Sequence, residues 1–273
     1  MHLIDSSIET FYAQAQEESR LTRGLGPLEF ERNKILISGY LDQPCSITDV
    51  GGGPGHYAQW LGSLGHSVTL IDPVPKHIQL AEKRSKLTSK PFRCLLAEAR
   101  NLPLRDGSQD LIMLHGPLYH LQERSDRIAA LKEASRVLRP DGIVLGFAIN
   151  RTASLVAALQ GGLIYHPDIF KMCKTELSSG IHQPPANFPG MLPQAYYHRP
   201  SSLIEEFKEA GFEPIRLVSV EGIAWMDGSF FSHWADPEKR RRLLELLEHT
   251  EKDQDLLCFS PHIMLAASNK TKP

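Results

Sequence analysis

The sequence predicts an α/β protein: a doubly wound, seven-stranded, mostly parallel sheet beneath a helical and irregular cap. Three observations carry this. Apolar runs of four to six residues recur from Ser46 onward, separated by segments with apolar residues at helical spacing. A glycine-rich turn, TDVGGGPGHY at 48–57, joins the first run to the first such segment. The length of 273 residues suits one generous domain, or one domain with a cap, better than two full domains.

The elements follow in order. Residues 8–41 are predicted helical, with a Gly-Pro break at Gly24 to Pro27, and residues 1–44 together form an expected N-terminal lid. Strand SITDV then leads through the glycines into helix HYAQWLGSLG, strand SVTLID and helix PKHIQLAEKRSKL. Strands FRCLLAE and DLIMLH precede helix RSDRIAALKEASRVL, whose Ile128, Leu131, Ala134 and Leu138 mark a core-facing stripe. Strand GIVLGFAIN follows. Residues 151–199, rich in Pro, Gly and aromatics, break the rhythm as a first insertion. Helix SSLIEEFKEAGF and strand EPIRLVSVE restore it. Residues 222–256 form a second insertion ending in helix EKRRRLLELLEHTEK, whose basic run is most simply a solvated face. The last strand, CFSPHIMLAAS, is expected to enter antiparallel beside the sixth. The α/β domain thus spans 45–273, with cap insertions at 151–199 and 222–256.

Composition narrows the function classes. With 41% hydrophobic and 23% charged residues the chain matches ordinary globular proteins. A formal net charge of -2 removes the simplest argument for a nucleic-acid partner. The four cysteines, Cys45, Cys94, Cys173 and Cys258, are widely separated, so neither a zinc site nor a disulfide framework is expected. Free thiols suit a reducing cytoplasmic setting. The start, MHLIDSSIETFYAQ, lacks a basic n-region, and no apolar run is long enough to span a bilayer, so no membrane partner is expected.

The glycine turn decides more. Two ligand classes use a strand, glycine loop and helix of this kind: dinucleotides and S-adenosylmethionine. A G-x-G-x-x-G fingerprint starting at Gly51 fails at His56, and one starting at Gly53 lies late after the strand. No Gly-Lys-Ser/Thr follows, which excludes a P-loop. The pattern Asp49-x-Gly51-x-Gly53-x-Gly55 fits without a shift.

On these residues the chain resembles the class I S-adenosylmethionine-dependent methyltransferases. The resemblance continues through Asp72 ending the second strand, Ala97-Glu98-Ala99-Arg100-Asn101-Leu102-Pro103, DGSQDLIMLHGPLYHL and RVLRPDGIVLGF. It covers roughly residues 46–150, and more loosely 200–268. The small-molecule enzymes of the family are the better match. The third motif departs from the family pattern, with Ala97 in place of Gly and Glu98 in place of Asp.

The resemblance implies a cofactor, S-adenosyl-L-methionine, and a site. Asp49, Gly51, Gly52, Gly53 and Gly55 would form its backbone surface, with the amino-acid tail near Gly51–Gly53. Asp72 would accept from the ribose hydroxyls, and Pro73 and His77 would flank the adenine. Glu98 would accept from the adenine amino group and the Ala99 N–H would donate to the ring. Arg20 or Arg32 would complete a carboxylate site, since a guanidinium fork binds bidentately. His115 would touch the cofactor through its backbone.

The reacting end is expected at His115-Gly-Pro-Leu-Tyr119-His120. The run lacks the polar first residue of the Asp/Asn-Pro-Pro-Tyr/Phe turn used by amino-methylating nucleic-acid enzymes of the superfamily. His120 is the candidate general base and Tyr119 a wall or hydrogen-bond donor. Tyr12 would cover the methionine end, and Tyr197 and His198, with the aromatics of the second insertion, would line an apolar substrate pocket. The expected function is methyl transfer to an O or N atom of a small molecule, without metal. A homodimer is compatible with the sequence. Rival readings are a protein- or RNA-directed methyltransferase, a silent S-adenosylmethionine-binding protein and, least favoured, an NAD-dependent oxidoreductase.

Overall fold

A computed structural model describes residues 4–15, 17–188 and 190–269. Near the N-terminus lie α1 (Ser6–Gln14), a 3-10 turn (Glu17–Thr22) and α2 (Gly26–Ser38). The α/β part then runs β1 (Ser46–Val50), α3 (His56–Ser63), β2 (Ser67–Asp72), α4 (Pro75–Ser85), β3 (Arg93–Leu96), β4 (Gln109–His115), α5 (Pro117–His120), α6 (Arg124–Val137) and β5 (Leu138–Ile149). The first insertion holds α7 (Ala153–Gln160), α8 (Pro167–Ser179) and a small hairpin of β6 (Ile181–His182) and β7 (Ala195–Tyr196). Then come α9 (Pro200–Glu209), β8 (Phe212–Ser219), α10 (Phe230–Ala235), α11 (Pro237–Thr250) and β9 (His262–Asn269).

Seven strands form one sheet in the order β3-β2-β1-β4-β5-β9-β8. Strands β1 to β5 pair in parallel, and β9 enters antiparallel to both β5 and β8. The parallel strands are nearly continuous apolar runs because helices cover both faces. On one face Leu131, Ala134, Leu203 and Phe207 of α6 and α9 pack on Ile112, Val144 and Leu265. On the other, Leu36, Ile37, Tyr57 and Leu61 of α2 and α3 pack on Ile47, Leu70, Met113 and Leu145.

Local chemistry sets the helix starts. Proline opens α4, α8, α9 and α11, where its missing N–H costs nothing. Asp236 caps α11 by accepting from the Glu238 and Lys239 N–H groups. The short helix α5, where the sequence suggested only a turn, is one turn over PLYH, with Pro117 at its start.

The strand order reverses between β1 and β4, and open α/β sheets bind ligands at such a switch point. The carboxyl ends of β1, β2, β4 and β5 meet there. Because β9 runs the other way, its first residue, His262, lies at the same end, paired in register with Ile149 of β5.

Candidate active site

A cavity opens at this switch point, lined by the glycine loop, Asp72, Pro73, His77, Glu98, Ala99, His115, Tyr119 and His120. Ile4, Ile8, Tyr12, Glu17, Arg20 and Leu21 line it from the N-terminal segment. The expected residues of the loop, the β2 end and the β4 turn are therefore brought together.

Gly51 has φ +78, and a Cβ there would lie 2.2 Å from the His115 carbonyl oxygen, so only glycine lets the loop cross the end of β4. Gly53 has φ +55, and a Cβ there would meet nothing within 4 Å. Its backbone thus faces open space in the cavity, a surface a ligand can approach closely. Gly55 does not line the cavity. It is the left-handed residue before α3, pressed against Phe92.

Asp72 is 4% exposed and accepts three hydrogen bonds: from the Gly53 N–H (2.9 Å), the Val74 N–H (2.9 Å) and His77 Nδ1 (3.0 Å). A carboxylate offers about four acceptor sites, so one remains, on Oδ2. His77 packs edge-on against Tyr12 (centroids 5.1 Å apart), and its Nε2 is buried without a partner among the described residues. Glu98 turns one oxygen to the Arg100 N–H and Nε, at 3.0 and 2.9 Å.

His120 differs from its expected role. Its Nε2 lies 2.8 Å from the Tyr12 hydroxyl. Burial drives its pKa down to about 4, only partly offset by Asp72, so the neutral ring accepts a hydrogen bond from the Tyr12 hydroxyl. It sits beside Asp72 and His77 and engages the N-terminal segment. Tyr119 tilts against it at 4.6 Å, and burial raises its phenol well above the usual range.

His115 contributes more than backbone. Its Nδ1 lies 2.9 Å from Oδ1 of Asp49, which is fully buried. Its ring is stacked between Tyr57 (4.5 Å, 18°) and Phe147 (4.1 Å, 27°). Asn33 of α2 donates to the Tyr57 hydroxyl at 2.8 Å.

Three expectations are corrected. Arg32 does not reach the cavity: it is buried, donating to the Val220 carbonyl (3.0 Å) and to Glu251 (2.6 Å), and pins α2 to the end of β8. Tyr197 stacks on His182 (4.8 Å, 6°) and His198 bonds Glu206 (3.2 Å), so both serve the packing of the first insertion. The second-insertion aromatics also stay outside: Phe230 and Trp234 pack with Leu28 and Leu247. Sequence reasoning missed Glu29, Asn33, Tyr57, Phe147 and His262, all of which line the cavity. Only for His262 was there a usable signal, the reversed direction of the last strand.

Arg20 does line the cavity. It forks onto Glu29 (2.6 and 3.1 Å) and reaches Glu17 (3.2 Å). Glu29, Glu221 and His262 have donor atoms within 4.8 Å of one another, the one such group among the described residues. Their charges are already matched: Arg20 covers both Glu29 oxygens, and His262 Nδ1 lies 2.6 Å from Glu221. Burial opposes a charge on His262, but Glu221 outweighs it and holds the pKa at about 9.

Residues 48–146 match the family model described as a methyltransferase domain. Residues 48–146 thus form a methyltransferase domain. An uncharacterized methyltransferase, YodH of Bacillus subtilis, is 33% identical over 105 residues, 38% of this chain and 42% of that protein. A ubiquinone biosynthesis O-methyltransferase of Paramagnetospirillum magneticum is 28% identical over 50% of this chain and 52% of its own. The human probable tRNA methyltransferase 9B is 32% identical over 35% of this chain and 19% of its own. The chain thus spans about half the length of these relatives, or less. The crystal structure of a Methanosarcina mazei S-adenosylmethionine-dependent methyltransferase superposes with a TM-score of 0.61 at 20% identity, covering 87% of this chain and 98% of that one, a likeness of fold. Among the described residues no helix is long and apolar enough to cross a membrane.

Proposed function

We propose that the chain transfers a methyl group from S-adenosylmethionine to an O or N atom of a small molecule enclosed beneath its N-terminal segment. The observation that carries this is the N-terminal segment that lines the cavity and partly covers it. α1 and the 3-10 turn lie across the glycine loop, held by Tyr12 on His120 (2.8 Å), Lys76 on the Ala13 carbonyl (2.7 Å) and His56 on the Glu18 carbonyl (2.9 Å). A site partly covered in this way limits water and suits an acceptor that can be buried whole, rather than a base or side chain held on a polymer.

The residues fit the cofactor. The Gly51–Gly53 backbone offers room for the amino-acid tail, with Arg20 beside it. Asp72 has one acceptor site for a ribose hydroxyl, and a second hydroxyl requires the His77 bond to open. When bound, S-adenosylmethionine supplies an electrophilic methyl on a sulfonium. The protein supplies orientation, a dry environment and proton management.

The test uses S-adenosylmethionine tritiated on the methyl group, presented with a deproteinised metabolite extract or with total RNA. Label recovered in the small-molecule fraction supports the proposal. Label recovered only in RNA overturns it. The lid role makes a separate prediction. Tyr12→Phe removes the hydrogen bond to His120 and weakens S-adenosylhomocysteine binding about 5-fold, the worth of one net hydrogen bond of about 1 kcal/mol. Calorimetry checks this, and unchanged affinity contradicts a latch at Tyr12.

A further inference from the structure

We propose that His115, oriented by Asp49, is the general base of the transfer, and that the acceptor is a hydroxyl or ring N–H that must lose its proton as it attacks. This rests on the methyl-transfer reading above. Three observations converge on it. The Asp49 carboxylate, 0% exposed, lies 2.9 Å from His115 Nδ1 and so holds the proton on that nitrogen. The other nitrogen, Nε2, is then a bare lone pair, buried and without a partner among the described residues, on a side chain that lines the cavity. The stack between Tyr57 and Phe147 prevents the ring from turning away. Together these make a base with its tautomer and direction set by a buried carboxylate, the logic of a His–Asp pair.

Position distinguishes His115 from His120. His120 lies at the Asp72 end and its Nε2 is taken by Tyr12. His115 ends β4 and lies on the Gly51 side, where the Gly51 backbone passes against its carbonyl. The titratable and charged groups around it are Asp49 from β1, Tyr57 from α3 and Glu29 from α2, the last paired with Arg20 and close to His262 of β9. Glu29 is matched by Arg20 and His262 by Glu221, so Asp49 is the unmatched charge in direct contact with the ring.

The step balances. The acceptor's O–H or N–H bond breaks and its electron pair forms the new bond to the methyl carbon. The carbon–sulfur bond breaks with its pair going to sulfur, and the proton moves to His115 Nε2. Asp49 stabilises the imidazolium that results. A thioether or a free neutral amine needs no such base to attack, which is why the pair selects for a protonated oxygen or ring nitrogen.

The experiment compares His115→Gln and Asp49→Asn with the parent chain in two assays: calorimetry with S-adenosylhomocysteine, and the initial rate of tritium transfer into the metabolite extract. His115→Gln is expected to bind S-adenosylhomocysteine within about 3-fold of the parent while transfer falls about 100-fold or more, the usual range for losing a general base. Asp49→Asn is expected to slow transfer comparably, because an amide can present the wrong partner to Nδ1. If that variant does not fold, ring nitrogen NMR of the parent bound to S-adenosylhomocysteine gives an independent readout, expected to show hydrogen on Nδ1 and none on Nε2 at neutral pH. Full transfer by His115→Gln, equal losses in binding and transfer, or the opposite tautomer overturns the proposal alone. A parent chain that neither binds S-adenosylhomocysteine nor moves label overturns the methyl-transfer reading beneath it.

Discussion

Asp72→Ala is expected to raise the dissociation constant for S-adenosylhomocysteine by about 100-fold or more. The carboxylate does two things at once. On the proposed binding mode it offers the remaining Oδ2 site to the ribose, and it ties the Gly53 N–H to the start of α4 through the Val74 N–H. Each hydrogen bond to a charged group is worth about 1.5–3 kcal/mol, and losing two accounts for the factor. The less severe Asp72→Asn keeps the shape but replaces one acceptor with a donor, and is expected to cost about 10-fold. Calorimetry on both variants, with circular dichroism to confirm folding, checks this. A well-folded Asp72→Ala chain with parental affinity would remove Asp72 from the cofactor site.

The second large effect is on stability. Arg127→Met is expected to lower the unfolding free energy by about 3–5 kcal/mol, the usual cost of removing one partner of a buried ion pair. Arg127 is 1% exposed and donates three ways to Glu206, at 2.7, 3.0 and 3.1 Å. It also donates to the Leu121 and Gln122 carbonyls (3.0 and 2.7 Å) and lies over the Tyr196 ring at 3.8 Å. It thereby brackets the chain that follows the HGPLYH turn against α9 and the small hairpin. The expected fall in melting temperature is roughly 10 °C. The double variant Arg127→Met/Glu206→Leu recovers most of it, because no charge is then stranded. An unchanged melting temperature in the single variant contradicts the bracket.

The same pair sets a pH dependence. Burial works to raise the Glu206 pKa, but hydrogen bonds from His198 and Arg127 outweigh it and hold the pKa at about 2. The folded value lies below the unfolded one, near 4.3. The contribution is therefore complete above that unfolded value and is lost as pH falls from about 4 through 2. Acid unfolding curves of the parent and the Arg127→Met chain should converge across that window.

Much of the fold was legible because buried parallel strands and amphipathic helices have different periods, and the chain keeps both cleanly from Ser46 to Ile149. The glycine register was legible because Gly51 needs a conformation and a close approach that other residues cannot supply. The side-chain assignments divide along a physical line. Asp72 could be placed because a strand end in this topology has one position. Arg20 and Arg32 could not be told apart, since which of them faces inward depends on how the N-terminal helices dock. Arg32 turns to Glu251, more than two hundred positions away, a pairing with no local signature. Tyr197 and His198 looked like pocket aromatics, but an aromatic under a cap and one in a pocket have the same composition. His198 answers instead to Arg127 and Glu206. His115 was singled out for its backbone, and its ring acquires a role only when β1 brings Asp49 beside β4.

The most direct measurement is a crystal structure with S-adenosylhomocysteine. The account predicts the nucleoside beneath Tyr12, a ribose hydroxyl within hydrogen-bonding distance of Asp72, and the sulfur nearer His115 than His120. A nucleoside bound outside this cavity, or a sulfur directed at His120 and away from His115, would contradict it.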